Sequence, residues 1–268
     1  MKRILLAGSA LLLVSLAHAQ QTEGRVLYER TVQVQMRFSG GGPDQEAMER
    51  MIPKTRTDKM EVLFANNQSL KRAVVDDTPE DEVSGNGMRV NIISAGADDV
   101  MFCNFSNGLV TEQREFAAKK YLVADSIRKL SWKLTGESKT VLGFPCQKAI
   151  AQRMSMRTMM NMNNGQMTRE QVPDTSNITA WFTSSIPVSA GPEYQGQLPG
   201  LILEIDINNG RTVYKALEVS PKVDVAVIKE PKNGKKVTAD EFSKERDKAI
   251  EEMQRNNGGR GRTIRIGG

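Results

Sequence analysis

The sequence predicts an all-β fold, a mainly antiparallel and strongly twisted sheet in the form of a half-barrel or open barrel, with one short helix and a C-terminal helix. Two observations carry this. Apolar and polar residues alternate with period two over long stretches, which is the pattern of strands covered on one face only. Strand follows strand across short Asn/Gly turns with no helical pattern between most of them, which is the order of an antiparallel sheet rather than of βαβ units.

The first strand is read over 25–38. Val26, Tyr28, Val32, Val34, Met36 and Phe38 fall on one face, and Arg25, Glu29, Thr31, Gln33, Gln35 and Arg37 on the other. The segments 59–64 and 69–75, separated by Asn66-Asn67, form a hairpin, and 100–105 and 109–116 form a second across Asn107-Gly108. Shorter strands are expected at 120–125, 130–141 and 146–154, the last two joined by a turn at Gly143-Phe144-Pro145. Further strands follow at 178–183, 201–207, 211–219 and 222–228. The expected core includes Val26, Tyr28, Val32, Val34, Met60, Val62, Phe64, Trp132, Trp181, Leu201, Leu203 and Ile205.

Helix is scarce. A short one is expected at 44–52, ahead of Pro53. The clearest runs from 238 to 255, where Thr238 and Glu241 make a capping box. Residues 256–268, Gly/Arg-rich, read as a disordered tail whose basic residues are solvated. The acidic stretch 76–87 lacks the spacing of a calcium loop and reads as a solvated insert.

The N-terminus reads as a signal peptide over residues 1–19. Lys2 and Arg3 precede an apolar stretch, Ile4 to Leu16, too short to span a bilayer, and Ala17-His18-Ala19 offers a cleavage site after Ala19. A secreted or periplasmic protein is expected, as one β domain over 20–237 followed by the helix. The charge, +5 for the whole chain, gives no basis for a nucleic-acid partner. The only histidine is His18, so cleavage leaves a chain with none. That removes Ser-His-Asp and Cys-His catalysis and every imidazole metal site, and the reading leans away from an enzyme.

In an oxidising compartment Cys103 and Cys146 read as one disulfide, worth about 4 kcal/mol in the loop-entropy account. Residues 154–167 carry Met154, Met156, Met159, Met160, Met162 and Met167 on a hairpin arm that turns at Asn163-Asn164-Gly165. Methionine there serves either as an adaptable apolar contact surface or, through soft thioethers, as a Cu(I) site of Met154, Met156, Met159, Met160 and Met162. No other cofactor is expected. In Leu198-Pro199-Gly200-Leu201 the proline and glycine fit a type II turn with Gly200 at positive φ, leading into a strand rather than into the helix that a phosphate loop needs.

Several motifs in order resemble one family. They are Trp132, the stretch Gly143-Phe144-Pro145-Cys146-Gln147-Lys148-Ala149, Ala180-Trp181-Phe182-Thr183, Ile186-Pro187, Gly191-Pro192 and finally Gln197-Leu198-Pro199-Gly200-Leu201-Ile202. The last is similar to the hexapeptide of the GLPGLI family, secreted Bacteroidetes-type proteins of unknown function. Gln197 replaces its first glycine, with Gly196 next to it. The resemblance implies a β-rich envelope protein and supplies no catalytic residue. The function expected is a non-enzymatic binding or adaptor protein with a concave β surface for an outer-membrane or envelope protein, or for a lipid or acyl ligand, and no membrane-spanning segment. The alternatives are a periplasmic Cu(I)-binding protein and a carboxylate-dependent hydrolase.

Overall fold

The computed structural model describes residues 21–33, 54–74, 83–85, 88–90, 99–163 and 166–256. The signal segment, Val34, the helix at 44–52, the acidic residues 76–82 and the tail after 256 lie outside them.

The chain forms β1 (Gly24–Gln33), β2 (Thr55–Ala65), β3 (Gln68–Val74), β4 (Val83–Gly85), β5 (Met88–Val90), β6 (Val100–Asn104), β7 (Leu109–Phe116), β8 (Lys119–Ser126), β9 (Lys133–Val141), β10 (Phe144–Asn163), β11 (Gln166–Thr183), β12 (Leu201–Ile207), β13 (Thr212–Ser220), β14 (Lys235–Val237) and the helix α1 (Ala239–Asn256). Twelve strands make one open sheet in the order β14-β8-β7-β6-β3-β2-β1-β13-β12-β11-β10-β9. β1 lies in the middle. From it one meander runs outward through β2, β3, β6 and β7 to β8. The second starts at the far edge with β9 and works back until β13 pairs with β1. All these pairs are antiparallel except β14 on β8.

Turn chemistry fixes the register. Asn66 and Asn67 both take positive φ (51° and 57°), as do Asn208 and Asn209 (56° and 53°), the hand that matches strand twist in tight hairpins. Ala117 and Ala118 adopt the same conformation without the usual residue types (50° and 59°), so the hairpin at 116–119 left no turn signal in the sequence.

The predicted face is the core. Val26 and Tyr28 of β1, Met60, Val62 and Phe64 of β2, Leu201, Leu203 and Ile205 of β12 are all buried in one cluster with Ile178, Ala180 and Phe182 of β11. Val32 is half-buried, and Trp132 and Trp181 lie at the cluster's margin. The Tyr28 hydroxyl is buried too and donates to the Ile202 carbonyl at 2.6 Å, so its burial strands no polar group.

Several elements differ from the sequence reading. β4 and β5 pair as a separate two-stranded sheet, and β4 lies in the stretch read as a solvated insert. The alternation in 222–228 does not make a strand. The segment crosses the opposite face of the sheet, with a 3-10 turn at Val225–Val227, and lays Val223, Val225, Val227 and Ile228 on Leu63, Ala65, Leu70 and Phe102. Both faces of β2 are therefore covered, which no single-strand pattern reveals. The short β14 was hidden because three residues are too few for periodicity. The capping box of α1 forms as expected. The Glu241 amide donates to Thr238 Oγ1 (3.2 Å) and the Thr238 amide to Glu241 Oε2 (2.8 Å). Phe242 then packs edge-on against Tyr121 with ring centres 5.2 Å apart, which docks the helix on β8.

Candidate functional site

The core face of the sheet is not open. The connection between β11 and β12, residues 184–200, crosses it as a strap. Ile186, Val188, Ala190 and Leu198 are buried in the main core cluster. Polar anchors hold it on both sides. On the β3 side, Lys71 Nζ donates to the Pro192 carbonyl and pairs with Glu193, both at 2.9 Å, and Ser69 donates to Gln195. On the other side, Gln197 Oε1 accepts from the Leu130 amide and from Trp132 Nε1, both at 3.0 Å. Gln197, the departure from the family hexapeptide, is thus the residue that ties the strap to the segment leading into β9.

The signature glycines have separate jobs. Gly196 takes positive φ (75°), and a side chain there would also strike Ile127 at 2.7 Å. Gly200 does not take positive φ, so the type II turn expected at Leu198-Pro199-Gly200-Leu201 is not formed. The Gly200 amide instead bonds the Leu198 carbonyl at 2.9 Å. What excludes a side chain at Gly200 is close approach. An added Cβ would lie 2.2 Å from the Thr183 carbonyl oxygen. Pro199 is exposed. The stretch is a structural corner, with backbone crossing backbone.

Polar side chains collect where the strap meets the sheet. Glu193 accepts from Lys71 and from the Tyr214 hydroxyl (3.4 Å), and Arg30 pairs with Asp58 at 2.7 Å beside Tyr214. Burial alone would raise the Glu193 carboxyl; Lys71, Arg30 and Arg153 outweigh it and hold it below the usual range. None of these residues has a sequence spacing that signals a site. They come from β1, β2, β3, β10, β13 and the strap, and only the folded sheet brings them together.

The expected disulfide is corrected. Cys103 and Cys146 are both free and buried, on β6 and β10, which are seven places apart in the sheet order. Desolvation pushes the Cys103 thiol to about 11, so it is a protonated, unreactive group.

The methionine arm is a two-stranded ribbon. β10 pairs with β9 only over Phe144–Ile150, and β11 with β12 only over Ile178–Thr183, whereas β10 and β11 stay paired to Asn163↔Gln166. The paired stretch from Ala151 to the tip therefore runs about 40 Å with no third strand among the described residues. Met154 and Met156 are 86% and 59% exposed. Met160 stands opposite Arg169 and Met162 opposite Met167 in the backbone register. The side chains of Met159, Met160 and Met162 lie outside the described set, and so does any grouping of their sulfurs.

Other candidates carry less. A shallow cleft of about 230 Å³ between α1 and β7–β8 is lined by Glu112, Arg114, Asp125 and Arg128. These pair with each other, Arg114 with Glu112 and Arg128 with Asp125. Among the described residues no three His, Cys, Asp or Glu side chains gather as metal ligands. Every described carboxyl with a shifted titration, Glu61, Glu137, Glu193, Glu241 and Glu245, is shifted down, the reverse of what a general acid needs. No described helix is long and apolar enough to cross a membrane.

Comparison with known proteins supports the fold and is silent on chemistry. A search of curated proteins finds no match to this chain. The chain is similar to PNGF-II, solved in two crystal forms. In the C2 form the TM-score is 0.50 at 17% identity over 85% of this chain and 33% of that one. In the P21 form it is 0.49 at 15% identity over 83% and 32%. The chain spans about a third of PNGF-II, and the likeness is one of fold. Residues 132–204 match the model of a family described as a protein of unknown function (Porph_ging). That span opens at Trp132 and closes within β12, taking in β9, the whole of β10 and β11, and the strap.

Proposed function

We propose that this is a secreted cell-envelope protein of the GLPGLI type, a non-enzymatic adaptor that engages an envelope protein through the ribbon of β10 and β11. One observation carries the reading, the projection of that ribbon beyond its sheet neighbours with neither outer edge paired to another described strand and Met154 and Met156 exposed. Open strand edges offer backbone hydrogen bonds to an extended partner segment, and thioether side chains adapt to irregular apolar surfaces. The strap-covered core face is the weaker candidate. The strap fills its apolar part, so an acyl chain would have to displace Ile186, Val188 and Leu198. The test is native capture from the envelope fraction together with lipid extraction of the purified protein. One partner recovered reproducibly by the intact chain, and lost when residues 154–175 are replaced by a two-residue turn, supports the reading. Equal recovery by both forms, or none by either, overturns it.

A second reading rests on the same exposed thioethers, a Cu(I) site on the ribbon using Met154, Met156, Met159, Met160 and Met162. Cu(I) titration should saturate below micromolar and weaken when Met156, Met160 and Met162 become Leu. Unchanged affinity in that variant removes it.

A further inference from the structure

The methionines whose side chains are described fall into contrasting environments. Met60 of β2 is buried in the main core cluster. Met101 of β6 is half-buried, and Gln195 Nε2 donates to its sulfur at 3.7 Å. Met154 and Met156 stand on the ribbon at 86% and 59% exposure. Oxidation of a thioether follows its exposure, because the sulfur lone pair has to reach the oxidant. The fold therefore sets two sulfurs apart from the others as accessible groups.

The register sorts the root of the ribbon into two faces. Ala149, Ala151 and Ile178 are buried on one of them, and Arg153, Ser155 and Asp174 continue the same parity outward. On the other face Met154 stands opposite Thr175 and Met156 opposite Pro173, and all four are exposed. None of the four carries a charge. The apolar character of this patch comes from two thioethers and one proline ring, while Arg153 and Asp174 fall on the opposite face. No described residue between 152 and 177 belongs to a core cluster. Chemistry at these sulfurs therefore changes a surface and leaves the packing of the sheet alone.

We propose that Met154 and Met156 are an oxidation site that switches this patch from apolar to polar. The co-reactant is a two-electron oxygen donor, a peroxide or a hypohalous acid. With hydrogen peroxide the thioether lone pair attacks one oxygen. The S–O bond forms as the O–O bond breaks, and the displaced hydroxide takes the remaining peroxide proton and leaves as water. Sulfur gives up two electrons and the peroxide takes them. A thiol-dependent sulfoxide reductase reverses the change, converting two thiols to a disulfide and releasing water. The sulfoxide is polar and chiral, so it loses the thioether's fit to irregular apolar surfaces. The consequence for binding rests on the ribbon as the docking surface, and it makes oxidation the signal that releases the partner.

The test treats the full chain with graded hydrogen peroxide under native conditions and maps the sulfoxides by peptide mass spectrometry. Met154 and Met156 should be oxidised about tenfold faster, or more, than Met60 and Met101. The oxidised chain should melt at the temperature of the untreated chain and elute earlier from a phenyl matrix. Methionine sulfoxide reductase with dithiothreitol should restore the original retention. Met154→Leu/Met156→Leu should keep less than half of the peroxide-induced shift. Native capture from the envelope fraction should lose the partner on oxidation and regain it on reduction. Equal oxidation rates at Met60 and Met154, unchanged retention, or a full shift in the double variant overturns the inference. Undiminished partner recovery by the oxidised chain also overturns it and leaves the ribbon reading standing. Recovery of no partner by either form overturns the ribbon reading and the release step with it, while mapping and retention decide the oxidation site on their own.

Discussion

β10 and β11 form a single hairpin with two different ends. At the base, Cys146, Ala149, Ile178, Ala180 and Phe182 are buried between β9 and β12 under the strap. At the far end, among the described residues, the same two strands pair only with each other, and Met154 and Met156 face solvent. The backbone hydrogen bonding is continuous, so it is not what distinguishes the ends. Burial is. A two-stranded hairpin without a packed face is marginal by itself, and one with open edges invites pairing by another chain. Stability therefore resides in the strap-covered sheet, and the ribbon is surface that the fold carries without needing it.

The contrast is broken most forcefully at the base. Phe182→Ala removes a fully buried ring and should cost about 3–5 kcal/mol by urea denaturation; a loss comparable to that of a surface change would mean the base is not packed as described. Gly200→Ala comes next, at about 3 kcal/mol, because its Cβ would meet the Thr183 backbone, which cannot move without shifting β11. A neutral result there would remove the close crossing of strap and strand.

Away from the hairpin, Glu61 sharpens the comparison through pH. It is buried on the sheet's outer face between Arg25 (2.6 Å) and Arg72 (2.7 Å). Burial pushes its carboxyl up, the two guanidinium groups push it further down, and the net titration is lowered. A folded value below the unfolded one gives stability that is present above about pH 4.3 and lost as pH falls through the folded value. Glu61→Gln should cost about 1–3 kcal/mol at neutral pH and flatten the stability curve below pH ~4; an unchanged acid limb would detach Glu61 from it. The smallest effect belongs to the ribbon. Met154→Thr should shift stability by no more than about 0.5 kcal/mol. Amides distal to Met154 should exchange far faster than those of β1 and β12.

Much of the body was legible in the sequence because half-buried antiparallel strands declare themselves by alternation. Val26, Tyr28, Met60, Val62 and Phe64 could be assigned to one face from parity alone. The hairpin turns at Asn66-Asn67 and Asn208-Asn209 were equally open to reading. What escaped depended on contacts between distant segments. The valines of 222–228 alternate like a strand yet cover the sheet from outside, since periodicity reports that a face is buried and not by what. Gly200 looked like a residue needed for its φ, but the Thr183 backbone that crowds it is invisible in a local window. The cluster of Arg30, Asp58, Lys71, Arg153, Glu193 and Tyr214 has no motif because six separate segments assemble it. Cys103 and Cys146 suggested a bond by compartment and number, and the strand order keeps them apart.

The measurement that bears most directly on the division between sheet and ribbon compares the intact chain with one in which residues 154–175 are replaced by a two-residue turn, scored for both melting temperature and recovery of an envelope partner. The predicted result is an unchanged melting temperature with partner recovery abolished. A trimmed chain that melts several degrees lower, or that recovers the same partner as well as the intact protein, would contradict it.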